Sequence, residues 1–224
     1  MATPMTRLCF EFHDAALEAL GSGALFWPSE RLLVVSDLHL GKSARLAAQG
    51  GALLPPYEGR ETLLRLEHDL EATGARRVVC LGDSFDAAGL DLLLPEEERL
   101  WIARLQAGRD WMWIEGNHDP GPVSLGGTHL AELELGGLVL RHIAEPDATG
   151  EVSGHYHPKA RLVLRGRVIS RPCFLLDTSR LLMPAYGAYT GGLRTDSAVL
   201  SALMDDGAQA ILTGAKPVRL PMPR

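Results

Sequence analysis

The chain has 224 residues, with 22 Lys+Arg against 28 Asp+Glu and a formal net charge of −6. At 46% hydrophobic and 22% charged it reads as a soluble globular protein, long enough to bury a sizeable core and not intrinsically disordered. No run approaches the roughly 18 apolar residues of a membrane helix, the opening MATPMTRLCFEFHD lacks the apolar core of a secretory signal, and the acidic total taken alone argues against a nucleic-acid partner.

The charge is uneven, however. Residues 1–151 carry 12 basic and 24 acidic side chains, whereas residues 152–224 carry 10 and 4. The basic excess concentrates in Lys159, Arg161, Arg165, Arg167 and Arg171, within two short predicted strands turning at Gly166 that would place Arg161 and Arg171 on one face. Cys9, Cys80 and Cys173 lie far apart in apolar runs, as expected of reduced, buried thiols in a cytoplasmic protein.

No repeat, low-complexity tract or long linker interrupts the chain, so one domain over residues 1–224 is expected. Apolar β-rich runs come at 8–12, 32–37, 77–83 and 111–116. LAELEL, GLVLRH, GEVSGH, the Arg-rich pair, CFLLD, SAVLSALM and AQAILTG follow and also read as strands. Two helices lie among them. YEGRETLLRLEHDLEATG follows Pro55-Pro56, aligns Leu63, Leu66 and Leu70 on one face and stops at Gly74. PEEERLWIARLQAG opens on Pro95 with acids in its first turn and ends at Gly108. Strands and helices alternate early and strands dominate late, predicting an α/β fold with a mixed sheet, or two packed sheets, flanked by helices. Trp101, Trp111 and Trp113 read as core, and His13, His68 and His129 as structural.

The informative residues end the apolar strands. LLVVS runs into Asp37-Leu38-His39, RVVCL into Gly82-Asp83-Ser84-Phe85-Asp86, and MWIE into Gly116-Asn117-His118-Asp119. GLVLR runs into His142, and EVS into Gly154-His155-Tyr156-His157. Such loops are where α/β folds bind ligands. At an extended strand end, residues i and i+2 point the same way, so Asp37 and His39 can converge on one ion, and His155 and His157 are related in the same manner. Glycines 82, 116 and 154 permit sharp turns and close approach of a substrate. Asp, Asn and neutral imidazole suit Mn, Fe, Zn or Mg, and no thiolate favours a softer metal. Asp37, His39, Asp83, Asn117, His142, His155 and His157 are too many donors for one ion; they suit two ions with a shared carboxylate.

These ordered motifs resemble those of the calcineurin-like metallophosphoesterase superfamily. DLHLGK (37–42), LLPP (53–56), GHYHPKARLVLRGR (154–167), RPCF (171–174) and MPAYGAYTGG (183–192) are similar, more closely, to the ligase-associated DNA damage response endonucleases of the PdeM family. The resemblance implies an αββα sandwich of two mixed β-sheets flanked by helices. It implies one ion on Asp37, His39, Asp83 and His157, with Asp83 bridging to a second on Asn117, His142 and His155, Mn²⁺ being favoured over Fe, Zn or Mg. His118 would contact the scissile phosphate as a catalytic residue, oriented by Asp86 or Asp119. Many relatives carry HEP at the fourth motif, where this chain has His142-Ile-Ala-Glu-Pro.

The implied activity is metal-dependent DNA endonuclease action on single-stranded or distorted DNA in repair, through attack by a metal-bridging hydroxide. Functional partners would be a DNA ligase, helicase and exonuclease, with no membrane association. A phosphatase of small-molecule or protein phosphoesters, and a non-catalytic interaction module, are the competing readings. Lys42, Arg45, Arg161 and Arg171 are candidate phosphate contacts. Tyr57, Tyr156, Tyr186 and Tyr189 offer faces for base stacking, although MPAYGAYTGG reads equally well as core or turn. The net charge then predicts a local, salt-sensitive grip on a phosphate backbone, not a broad basic face.

Overall fold

The computed structural model describes residues 6–48, 50, 57–164 and 166–224; the LLPP segment (53–56) and Arg165 lie outside the described residues. In chain order come β1 (Arg7–Phe12), β2 (Ala15–Leu20), β3 (Leu25–Trp27), β4 (Leu32–Val35), α1 (Lys42–Ala48), α2 (Glu58–Thr73) and β5 (Arg77–Leu81). Then follow α3 (Glu96–Gln106), β6 (Asp110–Ile114), β7 (Thr128–Leu130), β8 (Glu132–Leu135), β9 (Leu138–Arg141) and β10 (Glu151–Ser153). The last part holds β11 (Lys159–Leu164), β12 (Arg167–Leu176), β13 (Arg180–Leu182), α4 (Ala198–Leu203), β14 (Gln209–Leu212) and β15 (Val218–Pro221).

The strands build two mixed sheets, ordered β1-β2-β3-β4-β5-β6-β7 and β15-β14-β12-β13-β10-β9-β8, with β11 paired to β12. Side chains alternate across a strand. Leu32 and Val34 of β4 therefore enter a core shared with Leu140, Val152, Phe174 and Leu181 of the second sheet. Leu33 and Val35 face the other way, onto Leu63, Leu66 and Leu70 of α2. Leu175 and Leu182, on the outer face of the second sheet, pack with Leu200 of α4. The layers are helix, sheet, sheet, helix, the α/β sandwich expected. Burial on both faces is why β4 and β5 read as unbroken apolar runs.

Several local expectations are corrected. SAVLSALM is not a strand: Ser197 accepts the Leu200 N–H as an N-cap and starts α4, and so short an apolar run has no period to distinguish the two. LAELEL divides at Ala131, with β7 in the first sheet and β8 in the second. CFLLD is the end of β12, which changes partner from β11 to β14 at Pro172. Arg161 pairs with Ser170 and Arg171 with Ala160, so the two arginines project from opposite faces of the hairpin. Cys80 and Cys173 are buried, but Cys9 is exposed, because β1 turns Phe10 and Phe12 inward and therefore the alternate residues Cys9 and Glu11 outward.

Candidate metal centre

Strands β4, β5, β6, β9 and β10 end at one edge of the sandwich, and the loops after them carry every predicted ligand. Asp37 (φ 52), His39 (φ 45), Asp83 (φ 46), His155 (φ 69) and His157 (φ 45) all adopt left-handed backbone, which costs a non-glycine residue about 1–2 kcal/mol. The extended-strand account of the i, i+2 pairs is therefore corrected: alternating left-handed residues beyond the strand ends aim these side chains. Strain of this kind persists where surrounding structure enforces it, and it clusters at functional sites.

The donors form two groups, Asp37/His39/His157 and Asp83/His142/His155, each with its ligand atoms within 4.8 Å of one another. His155 and His157 thus fall into different groups. In the first, His157 Nε2 is 3.0 Å from Asp37 Oδ1, and the His39 and His157 rings are 5.3 Å apart. In the second, His142 Nε2 lies 3.4 Å from Asp83 Oδ2 and 3.0 Å from Asn117 Oδ1. Asp83 Oδ2 also lies 4.0 Å from His39 Nε2, so its carboxylate stands between the groups.

The donor chemistry fits cations. His39 Nε2 and His157 Nε2 are buried and make no hydrogen bond, although each faces a carboxylate. His142 Nδ1 is 3.0 Å from the Leu81 carbonyl. Donating its proton there, a neutral imidazole is left with a lone pair at Nε2 that meets two further oxygen lone pairs. Ligating histidines are commonly oriented by such a carbonyl. Asp37 is held by the His155 N–H at 3.0 Å and by the Ser36 hydroxyl at 2.5 Å; nothing in the sequence marked Ser36.

A third group, His39/Asp86/His118, is organised differently. Asp86 Oδ1 lies 3.0 Å from His39 Nδ1, and Asp86 Oδ2 accepts from Arg45 Nε at 2.5 Å, so this carboxylate is already occupied. Of the two acids expected to orient His118, Asp86 is the one that meets its ring, and it does so through the backbone. His118 Nδ1 faces the Asp86 backbone carbonyl at 3.0 Å, and its backbone N–H donates to Asp83 Oδ1 at 2.8 Å. Asp119 instead accepts the Ser84 and Phe85 N–H groups at 2.7 and 3.1 Å. Glu145 lies apart from the centre, with its carboxylate 2.5 Å from Arg141 Nη1.

Charge follows from these contacts. Burial opposes ionisation of Asp83, but the hydrogen bond and charge of His142, with the His118 N–H and His39, hold its carboxyl down to about 2. For Asp119 burial prevails, reinforced by Asp83, and raises it to about 6. Burial also works against a charged His142, yet Asp83 and Asp37 raise its pKa, whereas burial and the neighbouring His142 lower that of His155.

The glycines act through space within the centre. A Cβ at Gly116 would stand 2.1 Å from the Asp83 nitrogen, and one at Gly154 1.9 Å from Ser36 Oγ. It is the ligand loops, not a substrate, that approach these two residues.

This constellation of Asp, Asn and His behind buried strands meets an independent finding, since the calcineurin-like phosphoesterase family model matches residues 30–166. The chain belongs to that family. The phosphoesterase is also similar to the crystal structure of Pseudomonas putida nuclease MPE, with a TM-score of 0.71 and 30% identity over 95% of this chain and 100% of that one. A search of curated proteins returns no match. Membership makes the chain a metal-dependent phosphoesterase, a hydrolase whose fold implies divalent ions at His/Asp sites.

The predicted substrate contacts of the phosphoesterase are dispersed. Arg45 is tied to Asp86, Lys42 opens α1 in the loop after His39, and Arg161 and Arg171 are exposed on opposite hairpin faces. Tyr186 is fully buried and donates its hydroxyl to Asp69 at 2.8 Å, so it cannot stack a base; Tyr57 and Tyr189 are exposed. Trp111 and Trp113 are core residues and Trp101 is partly buried. Among the described residues no helix is long and apolar enough to cross a membrane.

Proposed function

We propose that the protein is a DNA endonuclease using two divalent ions, Mn²⁺ favoured, on single-stranded or distorted DNA in repair. The observation carrying this reading is the Asp83 carboxylate between two donor groups, the arrangement a two-metal phosphodiesterase requires; the nuclease among its structural relatives supports DNA as substrate. Asp37, His39 and His157 would hold one ion, Asn117, His142 and His155 the other, and Asp83 both. Divalent ions bound there supply charge neutralisation at the phosphate and a water acidified toward neutral pKa.

The chain's own groups do the rest. The Asp86 carbonyl accepts a hydrogen bond from His118 Nδ1–H and fixes the ring, and His118 remains partly open to solvent. A protonated Nε2 there donates to the leaving oxygen, a contribution of about 10²–10⁴ in rate. Asp86 aligns His39, and Arg45 neutralises the remaining Asp86 oxygen. Work alongside a DNA ligase, helicase and exonuclease in the cytoplasm belongs to the same reading and rests on the sequence resemblance.

A panel of Mn²⁺, Mg²⁺, Zn²⁺ and Fe²⁺ against circular plasmid, single-stranded oligonucleotide and an aryl phosphate monoester tests it, with Asp83→Ala as the blank. Metal-dependent scission of DNA is expected. Turnover of the monoester with no DNA cleavage would instead establish the phosphatase.

A further inference from the structure

Beside the metal loops, at the same edge of the sandwich, lies an open cleft of about 490 Å³. Loop residues 185–190 form one side, the turns at Gly21–Gly23 and Thr213–Gly214 another, and Lys159 and Arg65 stand in its lining. The loop is bonded to the metal centre's own backbone: Tyr186 N donates to Ser36 O at 2.7 Å and Gly187 N to Asp37 O at 3.1 Å. Arg65 Nη1 braces the Tyr186 carbonyl at 2.8 Å, and Thr62 Oγ1 accepts the Ala188 N–H at 3.0 Å. The cleft is preformed and its distance from Asp37 is set by hydrogen bonds.

Its chemistry is cationic with an aromatic wall. Glu61, the acid in the lining, is paired to Arg65 at 3.1 Å. Lys159 Nζ donates to the Thr190 carbonyl at 2.9 Å, and among the described residues no carboxylate pairs with it. Tyr189 is 52% exposed on the cleft wall, held at φ 57. The β11–β12 register places Lys159, Arg161 and Val163 on one face with Pro172, Ser170 and Val168. Because Lys159 and Pro172 line the cleft, that face leads outward from it, with Arg161 about 6.6 Å beyond Lys159 along the strand.

We infer that this cleft takes the nucleotide adjoining the scissile phosphate of a single DNA strand, with a phosphodiester at Lys159 and a base on Tyr189, and that the strand leaves past Arg161. A cationic track beside an aromatic platform is how proteins grip single strands without reading sequence. The inference rests on the nuclease reading and adds where the strand lies.

The test compares kcat/KM for a single-stranded oligonucleotide with that for an aryl phosphodiester too small to reach the cleft, in Mn²⁺. For Tyr189→Ala the ratio of the two falls about tenfold through the oligonucleotide KM, as expected for one lost stacked base. For Lys159→Gln the slope of log kcat/KM on log salt becomes shallower by about 0.7, and Lys159→Arg restores it. An unchanged ratio and slope in folded variants would overturn the cleft assignment and leave the nuclease reading standing. Wild-type protein that hydrolyses the aryl diester but no oligonucleotide would overturn both.

Discussion

Replacing Gly187 by alanine isolates the contact that sets the 185–190 loop against the metal loops. Gly187 is not among the residues with left-handed backbone, so the substitution introduces no dihedral penalty and acts through space alone. The added Cβ would stand 2.1 Å from the Leu38 carbonyl oxygen, 2.7 Å from its carbon and 3.0 Å from the Asp37 oxygen. All three are backbone atoms, which no side-chain rotation relieves. Restoring an ordinary 3.4 Å contact requires the loop or the Asp37–Leu38 segment to move about 1.3 Å in a close-packed interior. That motion breaks the Tyr186–Ser36 and Gly187–Asp37 backbone hydrogen bonds. At about 1 kcal/mol each the loss is about 2 kcal/mol, and the melting temperature drops about 4–8 °C for a chain of this size. A displacement of about 1 Å reaching Asp37 lowers the metal-dependent rate about 10²-fold. Calorimetry and a DNA-cleavage assay on the purified variant read both effects. Wild-type melting and wild-type rate together would refute the close approach and the coupling built on it.

Three further outcomes follow from particular contacts. His118→Ala slows DNA cleavage about 10²–10⁴-fold with full metal content by elemental analysis, whereas parallel loss of metal would make His118 a ligand. Burial raises the Asp69 pKa, so the folded state holds a proton that the unfolded chain releases, and stability falls as pH rises from the ordinary carboxylate value through the raised one. Asp69→Asn, which can still accept from the Tyr186 hydroxyl, gains in melting temperature relative to wild type across that interval; a difference independent of pH would contradict this. Burial pushes the Cys173 thiol up to about 12 and that of Cys80 well above its usual value, so a thiol reagent at pH 8 labels Cys9 alone in the native protein and all three cysteines after denaturation.

The centre was legible because its ligands follow strands that must be buried on both faces. Asp37 and Asp83 stand out as polar residues ending apolar runs, and α2 declared itself through Leu63, Leu66 and Leu70 at helical spacing. Other features depend on contacts distant in sequence. The left-handed turns at His39 and His157 obey no strand period. The Asp86 carboxylate meets His39 and Arg45 while only its carbonyl reaches His118, a division that a Gly-Asp-x-x-Asp spacing does not contain. The faces of Arg161 and Arg171 are not set locally, because a hairpin's register depends on where its turn closes, and Arg-Gly-Arg permits more than one closure. The cleft is gathered from segments near residues 21, 65, 159, 187 and 213, so no local pattern announces it.

The most direct test of the shared carboxylate is a Mn²⁺ titration of the metal-free protein followed by electron paramagnetic resonance. Two ions per chain with an exchange-coupled spectrum are expected, the coupling being lost in Asp83→Ala. A single ion, or two uncoupled ions in the wild-type protein, would contradict the placement of Asp83 between two metals.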